Sequence, residues 1–123
     1  TLLSENNLFS VNNIEIEKKD KFSNNALAEK AIQKGFDRLI EKILLREDRA
    51  KISDLSLASI KQLVTYYQVT NLLKEEGNKK LVNFSVTFDK DKIHNLFFEH
   101  DIPSGIFDVF YQALQFSILV FQW

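Results

Sequence analysis

Apolar and polar residues take strict turns from Val82 to Phe88, with Val82, Phe84, Val86 and Phe88 alternating with Asn83, Ser85 and Thr87. A period of two puts the first four side chains on one face of a strand and the other three on the opposite face, so the spacing predicts a half-buried antiparallel strand. Residues 26–48, "ALAEKAIQKGFDRLIEKILLRED", follow a different period. Ala28, Ile32, Gly35, Phe36, Leu39, Ile40, Ile43 and Leu44 recur at three and four, the apolar stripe of one long helix. Ser23, Asn24 and Asn25 offer capping oxygens at its start. Gly35 lies inside the stripe, where glycine costs about 1 kcal/mol relative to alanine. Packing must recover that cost, so the residue predicts a close approach of the helix backbone to its neighbour at mid-length.

The remaining segments read less regularly. In "LFSVNNIEIE", residues 8–17, Phe9 and Val11 share one parity and Ile14 and Ile16 the other. One extra residue at Asn12 and Asn13, a β-bulge, reconciles them in a single strand. The "KKDK" that follows reads as a solvated turn rather than an anion site. Residues 46–64 hold a charged turn, Arg46, Glu47, Asp48 and Arg49, and a brief helix expected after Ser53 or Asp54. Residues 64–73 are rich in β-branched and aromatic side chains, and "EEGNKK" then supplies a turn in which Gly77 and Asn78 accept positive φ. This strand and the alternating one should therefore close as a hairpin. Asp89 caps a further helix that turns Ile93, Leu96 and Phe97 inward. In the tail, residues 106–123, a last strand near 116–122 is expected, with an amphipathic helix as the alternative.

This order of elements predicts a single α+β domain over residues 1–123, with two layers, a small mixed sheet and helices on one face of it. A right-handed crossover through the long helix makes the first two strands parallel, and the hairpin adds an antiparallel neighbour. The other sheet face would stay polar and accessible. Tyr67, Asn83, Ser85 and Thr87 are the candidate partner surface on it.

Composition narrows the chemistry. The 123 residues carry 16 Lys plus Arg against 17 Asp plus Glu, a net charge of -1, so no global field draws in nucleic acid or an acidic membrane. Cysteine is absent, which removes disulfides, thiolate metal sites and a cysteine nucleophile. His94 and His100 would stand on different faces of one helix, exposed, and not share a zinc ion. No nucleophile elbow, zinc-protease or phosphate-loop pattern occurs, and helix capping and solvation account for Asp89, Asp91, Glu99 and Asp101. No catalytic residue, cofactor or metal ligand is assigned. Methionine is also absent, so the sequence is expected to begin downstream of a translation start.

Four stretches in order, "LFSVNNIEIE", "ALAEKAIQKGFDRLIEKILLRED", "LVTYYQV" and "VNFSVTFDKDKIHNLFFEHDIPSG", resemble the proteobacterial envelope-associated proteins grouped as domain of unknown function 2066. That family similarly has a V..I.V strand, a helix with alanines and a mid-helix glycine, a Y.V strand and an FD...V...L junction from strand to helix. The likeness spans residues 8–105; beyond it, Ser104, Gly105 and a phenylalanine-rich tail stand where the family has a tyrosine and an LVLP-like strand. At the level of fold alone, the order is also similar to N-terminal modules of envelope assembly factors such as flagellar assembly protein T. The resemblance implies a bacterial, periplasmic module of the envelope that binds protein partners, touches membrane at most peripherally and has no assigned catalytic residues. A nucleic-acid-binding α+β module, with Tyr66, Tyr67, Phe84 and Phe88 as a stacking platform, is the first alternative. A small enzyme is the second.

Overall fold

The computed structural model of the chain describes residues 8–19 and 21–103 and, of residues 71–76, the backbone. Strand β1 (Ser10–Glu17) leads into the long helix α1 (Asn24–Ile43). A single turn, α2 (Arg46–Arg49), a 3-10 turn (Ala50–Ile52) and the short α3 (Leu57–Lys61) follow. Strands β2 (Val64–Glu76) and β3 (Lys79–Phe88) form a hairpin through Gly77, at φ +64°, and Asn78, and α4 (Lys90–Glu99) runs on from it. The final strand expected at 116–122, and its helical alternative, lie outside the described residues. Helices packed on one face of the sheet make the domain α+β.

The strand order is β1-β3-β2, and both ladders are antiparallel. β1 and β2 run parallel to one another, as a crossover through α1 requires, but β3 is inserted between them. The described sheet is therefore antiparallel throughout, where the hydrophobic pattern alone suggested a mixed one. β3 earns the central place through its apolar face, since Val82, Phe84, Val86 and Phe88 are all buried and only a central strand has its backbone groups paired on both sides. The bulge in β1 is present. Register slips between Val11 and Ile14, and Asn13 sits at φ 58°, a left-handed conformation that asparagine tolerates better than most residues.

Gly35 does what its position in the stripe predicts. A Cβ built on it would stand 3.0 Å from Ile14 Cδ1 and 3.6 Å from Val86 Cβ, so the α1 backbone rests directly on the seam between β1 and β3. Ala28, Ala31, Ile32, Phe36, Leu39 and Ile40 bury the rest of the stripe. Ser23 caps the helix by accepting a bond from the Ala26 amide at 3.2 Å, and Asp89 caps α4 from the Lys92 amide at 3.0 Å. Ile93, Leu96 and Phe97 turn inward from α4 as expected.

Two boundaries differ from the periodic reading. α1 stops at Ile43, not near residue 48, because Leu44 turns extended at φ -117° and ψ 147°. Ile43 and Leu44 still pack on the core, so the apolar rhythm outlasts the helix. The short helix opens at Ser56, whose hydroxyl accepts from the Ser59 amide, and not at Ser53 or Asp54. Ser53 donates backward to the Ala50 carbonyl at 3.1 Å and closes the preceding turn instead.

Gly35→Leu is expected to destabilise the fold by about 2 kcal/mol or more, since the added carbons must displace the fully buried Ile14 and Val86. Urea denaturation followed by circular dichroism measures it. In the Gly35→Ala background, Ile14→Val is expected to cost less than it does alone, because it removes the methyl that the new Cβ meets.

Candidate functional site

The four predicted surface residues do not share a face. Asn83, Ser85 and Thr87 lie on the side of β3 away from the helices, and each is tied to a neighbouring strand. The Thr70 hydroxyl donates to Asn83 Oδ1 at 2.6 Å, the Ser85 hydroxyl donates to Asn12 Oδ1, and the Thr87 and Ser10 hydroxyls meet at 2.9 Å. Ser85 is buried despite its place on the open face. Tyr67 pairs with Val86 in register and so projects from the helix side, its ring 6.4 Å from that of Phe84. An irregularity between Val64 and Tyr66 shifts the parity of β2 and explains the difference.

The sheet has two edges, and they are unlike. Lys18 donates to the Lys80 carbonyl at 2.8 Å and Phe88 donates to the Phe9 carbonyl at 2.9 Å, so even-numbered residues of β3 turn their backbone groups toward β1. By the alternation of an antiparallel ladder, Asn83, Ser85 and Thr87 turn theirs toward β2. On β1 the same alternation leaves the Glu15 carbonyl facing outward, where Lys34 Nζ donates to it at 3.1 Å. Arg38 Nη1 donates to the Asn13 carbonyl at 3.0 Å. A bulge and two long cations thus guard this edge.

β2 is irregular too, at Val64/Tyr66, Val69/Asn71 and Asn71/Lys74, but among the described residues no cation bonds the outward carbonyls of Tyr67 and Val69. Tyr66 and Gln68 face Thr87 and Ser85 and are bonded inward, so the N–H and C=O of Tyr67 and Val69 point outward from the described sheet. Residues 65–70 are all exposed, and Tyr67 and Val69 each keep 44% of their surface in solvent although they lie on the helix side of the sheet. α1 does not reach over them. Between its first turns and β2 runs a groove of about 330 Å³, walled by Leu27 and Ala28, floored by Val82 and Phe84, and rimmed by Tyr67, Val69, Lys18, Asn24 and Asn25.

Elsewhere the chemistry is plain. His94 is half-buried and packs edge-on against Phe9 at 6.1 Å, and His100 is the half-buried cap of α4, so neither is the exposed residue the spacing suggested. Among the described residues no group of three or more His, Cys, Asp or Glu is placed to hold a metal ion. Partial burial lowers the Lys42 ammonium from its ordinary value, as for a long side chain laid along the helix surface. No helix among the described residues is long and apolar enough to cross a membrane. Comparison with protein-family models, curated proteins and solved structures finds no match for the chain.

Asn12→Ala leaves the buried Ser85 hydroxyl without its acceptor and is expected to cost about 1 kcal/mol or somewhat more. Adding Ser85→Ala should recover part of that loss. A double-mutant cycle by urea denaturation measures the coupling.

Proposed function

We propose that the chain is a non-catalytic docking module of the bacterial cell envelope, receiving an extended segment of a partner protein along β2. The observation that carries this reading is the contrast between the two sheet edges. Arg38 and Lys34 occupy the outward carbonyls of β1, whereas Tyr67 and Val69 of β2 offer backbone groups that no described cation takes, beside half-exposed apolar side chains. Strand addition draws its affinity from main-chain pairing and its specificity from pockets for alternate side chains. β2 and its groove supply both. The envelope and the periplasm enter through the resemblance of the four sequence stretches. Membrane contact in this reading is peripheral at most. A nucleic-acid platform fits less well, because Tyr66 and Tyr67 project from opposite faces and cannot stack successive bases together.

Val69→Pro tests the reading. Proline is tolerated where the N–H of an edge strand faces solvent, so the variant is expected to fold while losing the outward donor. In cells expressing the full chain, a photoreactive residue at Gln68 is expected to yield a discrete protein adduct that Val69→Pro abolishes. The same residue at Glu15 is expected to yield none. Equal adducts from both edges, no adduct from either, or an adduct at Gln68 that persists in the folded Val69→Pro protein would overturn the proposal.

A further inference from the structure

Resting on the reading of β2 as a docking strand, we infer that the segment it receives is apolar at alternate positions and acidic where it passes the start of α1. The apolar half follows from the groove. Leu27, Val82 and Phe84 are almost wholly buried beneath it, and Tyr67 and Val69 keep their outer surfaces free, so an incoming aliphatic side chain finds hydrophobic contact on three sides.

The acidic half follows from charge. Lys18 lines the groove and lies on the same sheet face as Ile14 and Ile16, at the point where those apolar rows end. Lys19 and Lys30 hold their ammonium groups 6.0 and 4.2 Å from the Phe22 ring, and Lys21 is exposed beside them. Among the described residues no carboxylate lines the groove. The first turn of α1 has none, Glu29 follows in its second turn, and Glu17 stands on the opposite sheet face. The sequence adds Asp20 to the loop. None of Lys18, Lys19, Lys21 and Lys30 is ion-paired to a described carboxylate. An acidic residue arriving over the groove thus meets the Lys18 ammonium, which no described carboxylate pairs, and a lysine arriving there meets like charge.

The test uses the full chain and two synthetic peptides sharing one core of alternating valine and threonine, ended by two glutamates in one and two lysines in the other. Fluorescence anisotropy at low salt is expected to show the glutamate peptide binding about fivefold tighter, the scale of one part-exposed ion pair. The advantage should fade at high salt. Lys18→Glu is expected to reverse the order of the two peptides, and Val69→Asp to remove the binding of both. Circular dichroism checks that each variant, altered only at an exposed position, remains folded. Equal affinities that Val69→Asp still abolishes would overturn the acidic end and leave the docking strand standing. Glutamate-peptide binding that survives Val69→Asp would overturn both. Absence of binding by either peptide would overturn this inference, while the Gln68 adduct and its loss in Val69→Pro judge the docking strand separately.

Discussion

The contact on which the rest of the structure depends is the seating of the α1 backbone on Ile14 and Val86 at Gly35. Three small residues, Ala28, Ala31 and Gly35, let the helix sit low over the seam of β1 and β3, and larger residues on either side of them lock it there. Widths then decide the layout. A helix with its side chains is about 10 Å across and strands lie about 4.8 Å apart, so one helix covers about two strands. β2 is the third. Its helix-side Tyr67 and Val69 stay half in solvent because the helix that could have covered them is committed elsewhere.

That geometry gives the two edges of the sheet different fates. β1 lies under α1, within reach of the long side chains on the flank of the helix, and Lys34 and Arg38 fold over its rim to take the outward carbonyls. Among the described residues, β2 has no helix close enough to lend such side chains. Exposed strand edges are ordinarily blunted by charge, bulge or cover, and among the described residues only the β1 edge has cations folded over it. The polar face behind β3 plays a different part. Its hydroxyls and amides bond across the strands, as Ser10 does with Thr87 and Thr70 with Asn83, and bind the three strands to one another.

Much of the fold was legible because local chemistry and tertiary need agreed. The alternation of Val82 to Phe88, the turn at Gly77, the caps at Ser23 and Asp89, the bulge at Asn13 and the close approach at Gly35 each follow from a few residues read together. Strand order was not legible, since placing β3 between β1 and β2 depends on pairing between distant segments that no local pattern encodes. The side to which Tyr67 points was hidden for a similar reason, because one irregularity near Thr65 moves Tyr67 and Val69 to the other face. The groove was legible only in part. Its residues were visible as apolar positions, but their exposure follows from where α1 stops sideways, a property of packing and not of sequence period. The burial of Ser85 likewise needs Asn12, which is near it only in space.

Strand order also imposes a timetable on the newborn chain. β2 and β3 meet across a two-residue turn, whereas the hydroxyl bond between Ser10 and Thr87 joins residues separated by 77 positions. Closing so wide a loop is entropically dearer than zipping a hairpin. β1 leaves the ribosome first and finds its ladder partner last. Until β3 emerges, the apolar faces of the long helix and the first strand have no sheet to close on, which makes that interval the period when a chaperone has most to shield.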